Sequence, residues 1–443
     1  MLTTRAGIDR ELAIAWYRKN RARTTQLFDL LTDAAYYARP IALRHPIVFY
    51  EGHLPAFSLN TLIKKALGRP GLDESLEQLF ARGIDPDEGD PTRTPATWPD
   101  RAQVRAFVDA ADAVVLDALA NANLEVPGHP LLHSSEAVYT ILEHEAMHQE
   151  TLLYMWHRLP FEQKRTPHGH RYTTDGVARP SDAIRIPAGG TRLGAARGDI
   201  PFGWDNEYGP LDIDVPAFSI DQRNVTNADF MEFVEAGGYA REDLWAPDDW
   251  TWVNEHQVRH PAFWEPDDAN WFWRGMFAPL SLPGDWPVYV SHAEATAFAR
   301  WRGRRLPTEA EYQRAAYGAP ADETRAFPWG DAPPGATHGV FDFSSWEPEP
   351  VATHPAGRSA WGVDDLVGNG WEWTSSIFRP FPGFRASASY PEYSADFFDE
   401  SHYVMKGASP ATAAELLRPT FRNWFRPRYP YVYATFRCAG DGA

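Results

Sequence analysis

The chain has 443 residues, 44% of them hydrophobic and 23% charged; this is globular composition, and at roughly 150 residues per domain it predicts two or three domains and excludes a disordered chain. Acidic residues outnumber basic ones by 60 to 42, a net charge of −18, which excludes the basic face that nucleic acid or an anionic membrane requires. A single cysteine, Cys438, excludes an intrachain disulfide, a Cys-rich zinc site and an iron–sulfur cluster.

The N-terminal MLTTRAGIDRELAIAWYRKN lacks the apolar stretch of a signal peptide, and no run reaches the ~18 apolar residues of a membrane span, so a cytoplasmic protein is expected. Helical periodicity then predicts helices over about 8–36 and 58–67, a short one at 73–82, and long ones at 100–122 and 135–158, the last with Ser134 or Ser135 as N-cap. Long helices joined by moderate loops predict an up-and-down bundle over residues 1–160. Residues 161–182, polar with scattered Pro and Gly, read as a linker. Residues 183–443 are rich in Trp, Gly and Pro and read as a loop-rich α+β domain. Strand-like pieces there are Ala183–Pro187, Asp212–Ile220, Val288–Ser291 and Tyr403–Lys406; helices are expected at Asn227–Glu235, His292–Trp301 and Glu309–Tyr317.

One face of the fifth predicted helix reads Ala137, Ile141, His144, His148, Leu152, Met155. Two histidines thus replace apolar residues on a core-facing stripe, at i and i+4, where both rings can converge on one point. Buried imidazoles need partners: either core hydrogen bonds or a metal ion answers that need. The same residues spell H-E-x-x-H, the zinc hydrolase motif with Glu145 as base. Its metzincin extension fails, since Thr151 stands where Gly belongs and Tyr154 where the third His belongs, and Glu162 lies past Pro160. A third imidazole is available from His53, at a Gly-His step at the mouth of the second helix. Three neutral imidazoles with open positions beside them suit Fe(II) binding substrate and O2 together, although zinc also accepts three His.

The Gly-His step at 53 and the segment HEAMHQETLL at 144–153 resemble the DinB-like helical domain of ergothioneine-type sulfoxide synthases, the EgtB and OvoA type. The segments IPAGGTRLG, FGWDNE, FSIDQRNVTNADFMEFV, GRRLPTEAEYQRAA, FPWGD, LVGNGWEWTSS and RPTFRNW resemble the formylglycine-generating-enzyme domain, a C-type-lectin-like fold. The two resemblances follow one another in the family's own order and imply an N-terminal DinB-like helical bundle joined to a C-terminal C-type-lectin-like, formylglycine-generating-enzyme-like α+β domain. A formylglycine-generating enzyme itself needs a cysteine pair, which Cys438 alone cannot supply.

The resemblance implies iron ligands at His53, His144 and His148, with Fe(II) as cofactor and O2 as co-substrate. It matches Tyr390, in SYPEYSADFF, to a tyrosine that donates a proton or electron during oxygen chemistry, and Tyr393 to its neighbour. It matches Asn423 and Trp424 to residues that hold the trimethylammonium or carboxylate of hercynine, Nα-trimethylhistidine. Three departures concern the second substrate. Phe425 replaces an Asp that grips the amino group of γ-glutamylcysteine, Met147 replaces a Gln, and DPDEGDP (85–91) falls where a donor-binding arginine is expected. These changes suit a neutral sugar-like donor, as in the selenoneine synthase branch, which uses a selenosugar; Arg93, Arg426 or Arg428 still offers a cation to the carboxylate of free cysteine. The expected partners are small molecules alone, with the chain a monomer or a simple homo-oligomer. The rival readings are a zinc hydrolase acting through Glu145 and a lectin-like binding module.

Overall fold

In the computed structural model the described residues are 3–4, 7–81, 98–174, 176, 181–267, 270–320 and 323–442. The chain divides into a helical unit, residues 1–170 with 387–391, and a second unit, residues 171–386 with 392–443. The segment 387–391, which the sequence reading places in the C-terminal domain, thus packs with the helices.

In the helical unit a short hairpin of β1 (Thr3–Thr4) and β2 (Gly7–Ile8) precedes α1 (Arg10–Asp29), whose start is fixed by the Asp9 carboxylate accepting from the Leu12 amide at 3.0 Å. The helix stops short of the expected residue 36. Beyond it Leu31 bridges to Lys164, the Thr32 amide donates to the Gln163 carbonyl, and the Arg165 amide to the Leu30 carbonyl. These bonds tie residues 164–165 and Gln163 to the residues just after α1.

The second helix begins earlier than its sequence period suggests: α2 spans Ile47–Ser58 and continues as a π-helix, Leu59–Ala66. Pro55 inside it removes one i→i−4 donor, which argues locally against a helix, but nearly the whole of α2 is buried and packing decides. His53 therefore stands inside a helix and not at its mouth. The remaining helices are α3 (Glu74–Leu79), α4 (Arg101–Asn121), opened by an Asp100/Gln103 capping box, and α5 (Glu136–Arg158). Ser135 occupies the N-cap position of α5 as expected, but in left-handed φ (57°, after Ser134 at 51°) and with no side-chain cap bond. Helix α1 packs on α4 and α5, and α2 on the same two. Across the α1/α5 contact, Asn20 Nδ2 donates to the Leu142 carbonyl (2.8 Å), Gln149 Nε2 to the Asn20 carbonyl (2.9 Å) and Trp156 Nε1 to the Leu27 carbonyl (3.0 Å).

The second unit opens with β3 (Ala183–Ile186), β4 (Gly189–Leu193), β5 (Leu211–Val215) and β6 (Phe218–Asp221). The expected strand 212–220 is split because Pro216 lacks an amide for the ladder. Then come α6 (Asn227–Glu235), α7 (Pro247–Glu255), β7 (Trp264–Asp267), β8 (Asn270–Arg274), β9 (Pro279–Ser281), α8 (His292–Trp301) and α9 (Glu309–Tyr317). Val288–Ser291 is not a strand: Val288 bonds to Val225 and Val290 to Ala434, two different partners that build no ladder. The chain closes with β10 (Gly370–Ile377), β11 (Tyr403–Ala408), β12 (Asn423–Phe425), β13 (Ala434–Thr435) and β14 (Ala439–Asp441). The largest sheet runs β12-β11-β10-β13, with only the β10/β13 pair parallel; β14-β6-β3 forms a second. Ile186, Phe218, Ile220, Tyr312, Val363 and Leu366 fill the core beside α9. Among the described residues no helix is long and apolar enough to cross a membrane.

Candidate metal centre

Helix α5 presents Glu136, Thr140, His144 and His148 at intervals of four residues, one above the other on a single face. Helix α2 brings His53 against the lower part of that face. All three histidines are buried, and one ring nitrogen from each lies within 4.8 Å of the others. His53 Nδ1 sits 2.7 Å from the Phe80 carbonyl. A carbonyl can only accept, so Nδ1 carries the proton and Nε2 is left with a lone pair and no hydrogen-bond partner. Neither ring nitrogen of His144 or His148 has a hydrogen-bond partner among the described residues.

Burial lowers the basicity of all three rings: His53 is pulled down to about 4, against the opposing pull of the Phe80 carbonyl, and His144 and His148 fall well below the usual histidine value. Each is therefore neutral at pH 7, the form that ligates a metal. Orphaned buried nitrogens are costly, and three converging on one spot fit a metal ion that accepts their lone pairs. The donor set is nitrogen only, which suits Fe(II) or zinc and not calcium or magnesium.

Aromatic rings frame the cluster. Phe57, one turn after His53 on α2, stacks on His144 with ring centroids 3.5 Å apart and planes 6° from parallel. Tyr390 meets Phe57 edge-on at 5.3 Å and lies 6.0 Å from the His144 ring. Tyr50 stands 5.9 Å from the His148 ring. Neither Phe57 nor Tyr50 figures in the sequence reading, although the i+4 step from His53 to Phe57 was available as a signal.

Glu145 is engaged elsewhere. Its carboxylate accepts from Arg21 Nη1 (2.7 Å) and Thr24 Oγ1 (2.6 Å) of α1, and Arg21 also pairs with Asp112. The base that zinc hydrolysis would need is thus committed to a buried helix–helix ion pair. Half-buried Met147 lies between the two histidines in sequence, on α5. Arg93 and the acidic stretch 85–91 lie outside the described residues.

The other candidate residues belong to the second unit. Tyr393 stacks on Trp204 at 4.0 Å and meets Trp424 edge-on at 5.3 Å, while Trp424 stacks on Phe378 at 4.1 Å. Asn423 Oδ1 accepts from the Trp424 amide (2.9 Å). The two-residue period of β12 sends Phe425 to the opposite face from Trp424, where it stacks on Tyr429 at 5.2 Å. Arg428 is paired with Asp249 at 2.8 Å.

Residues 170–441 match the family described as Sulfatase-modifying factor enzyme 1-like domain, and residues 17–152 match the DinB superfamily. The hercynine oxygenase of Mycolicibacterium thermoresistibile is 34% identical over 455 residues, covering 99% of this chain and 95% of that protein. The chain belongs to the ergothioneine-type sulfoxide synthase family. The hercynine oxygenase of Mycolicibacterium smegmatis is 32% identical, covering 97% of this chain and 98% of that one. Ergothioneine biosynthesis protein 1 of Neurospora crassa is 26% identical over 91% of this chain but only 54% of its own length. This sulfoxide synthase relative therefore combines a helical DinB domain, which holds all three histidines, with a β-rich C-type-lectin-like domain.

Proposed function

We propose that this chain is a hercynine-modifying enzyme that uses Fe(II) and O2 to form a carbon–chalcogen bond on the hercynine imidazole, with a selenosugar as donor. The observation that carries the reading is the convergence of three buried, neutral imidazoles whose free nitrogens have no hydrogen-bond partner among the described residues. Bound by His53, His144 and His148, Fe(II) would supply open coordination positions and a redox couple for O2. The names of the relatives, hercynine oxygenase and ergothioneine biosynthesis protein, support the same substrate and an oxidative reaction.

The chain's own residues then bind, orient and move protons. Phe57, stacked on His144, covers one face of that ring and fixes its plane. Tyr390, its ring 6.0 Å from that of His144, carries a phenol able to give up either a proton or an electron. Trp424 offers an aromatic face and Asn423 an amide, a pairing suited to a trimethylammonium group and a carboxylate. If Tyr390 has this role, Tyr390→Phe keeps fold and iron but diverts turnover to oxidation of the donor without bond formation. Product analysis under single-turnover conditions reads this; an unchanged product ratio would move the role to Tyr393 or to water.

The donor reading rests on charge. A γ-glutamyl dipeptide brings two carboxylates and an ammonium, and burying these without partners costs on the order of several kcal/mol. Phe425 stacks on Tyr429 and offers no charge, and Arg428 is already paired with Asp249. A selenosugar brings hydroxyls, which neutral and acidic groups bind. In direct competition for one hercynine pool, the selenosugar is expected to be consumed ahead of cysteine, and cysteine ahead of γ-glutamylcysteine. Preferential use of γ-glutamylcysteine would refute the charge argument.

A further inference from the structure

Tyr390 sits in a short segment without regular secondary structure, and a tyrosine on such a segment has backbone and rotamer freedom that must be removed before it can serve a fixed centre. The removal is visible at the preceding serines. Ser389 is fully buried; its Oγ lies 3.0 Å from Thr140 Oγ1 and 2.7 Å from Ser387 Oγ, and Ser387 Oγ donates to Glu136 Oε1 at 2.9 Å. Glu136 and Thr140 occupy the first two steps of the same α5 face whose next two steps are His144 and His148. The segment is thus fastened to the rigid element that carries two of the three histidines, one and two turns away from them. Tyr390 follows Ser389 directly, and its ring reaches Phe57 and His144.

We infer that Ser387 and Ser389, with Glu136 and Thr140, form a hydroxyl latch that sets the position of Tyr390 at the histidine cluster. All four are positioning residues: they act through the tyrosine. The inference rests on the reading of Tyr390 as proton or electron source, and its test separates the two. Arg385, exposed two residues before the latch, provides a tryptic site. A protease that binds the residues on both sides of the scissile bond in extended form has to draw Ser387 and Ser389 away from α5, so the cleavage rate reads opening of the segment. In the iron-loaded full chain, Ser387→Ala/Ser389→Ala and Glu136→Ala are expected to speed cleavage after Arg385 roughly tenfold, the opening expected when one or two hydrogen bonds are lost. Glu136→Gln, whose amide oxygen still accepts, is expected to stay near the parent rate.

Iron content should remain that of the parent, and the product ratio should move toward that of Tyr390→Phe. Parental cleavage in the serine and Glu136→Ala variants would overturn the latch. So would faster cleavage with a parental product ratio, where Tyr390→Phe itself changes that ratio. If Tyr390→Phe changes nothing, the tyrosine reading fails, and the latch stands or falls on cleavage alone.

Discussion

His148→Ala is expected to yield a folded protein that no longer retains iron. In the metal-free protein the substitution has two opposing effects. It removes two orphaned nitrogens, each costing about 1–3 kcal/mol where buried, and it leaves a cavity whose cost is of similar size, about 2–5 kcal/mol for a large side chain. The apoprotein's unfolding temperature therefore changes little. The metal-bound protein behaves differently. A ligand at a hundred times its dissociation constant stabilises the native state by about 2.7 kcal/mol, and that increment disappears with the third imidazole. Since loss of an outer-shell partner alone costs ~10- to 100-fold in affinity or activity, loss of a ligand should cost more than ~100-fold in both. Metal analysis and thermal unfolding with and without Fe(II) check this. Parental iron retention in His148→Ala or His144→Ala would sink the ligand assignment.

The second large effect concerns stability. Arg437 is fully buried, and all five of its N–H groups are used: Nε and Nη2 on the Glu372 carboxylate at 2.7 Å, Nη2 also on the Asp364 carbonyl, and Nη1 on the carbonyls of Asp221 and Gln222. It ties the residues before β14 to the central strand β10 and to the end of β6. Arg437→Met leaves Glu372, itself fully buried, as an uncompensated charge, at a cost of about 3–5 kcal/mol. For a unit of this size that lowers the unfolding temperature on the order of 10 °C. Arg437→Met/Glu372→Leu, which removes both charges, should recover most of the loss; equal destabilisation in the single and double variants would show that packing, and not the ion pair, is what matters there.

Much of the fold can be read along the chain. The helices α4 and α5 have uninterrupted 3.6-residue periods, and α6, α8 and α9 each begin at a Ser or Thr followed three residues later by an acidic residue that closes the capping box. His144 and His148 stand out because they interrupt an apolar stripe. His53 is placed less well from sequence: IVFYEGHLPAF is apolar all round and holds a proline, so local rules favour an extended or loop approach, and only tertiary burial makes it helix. Three features depend on partners distant in sequence and leave no local trace. Glu145 belongs to Arg21, 124 residues away; Ser389 belongs to Thr140, 249 residues away; Arg437 belongs to Glu372. The H-E-x-x-H spelling is accordingly misleading: its spacing is that of a hydrolase, but its glutamate is an interhelical ion-pair partner.

The most direct measurement is hercynine turnover by the apoprotein reconstituted under anaerobic conditions with either Fe(II) or Zn(II), each then assayed with the chalcogen donor in the presence and absence of O2. Product with a new bond to the imidazole carbon between the two nitrogens is expected only where Fe(II) and O2 are both supplied. Turnover restored by Zn(II), or persisting in Fe(II) protein without O2, would contradict the assignment of the three histidines to an oxygen-dependent iron centre.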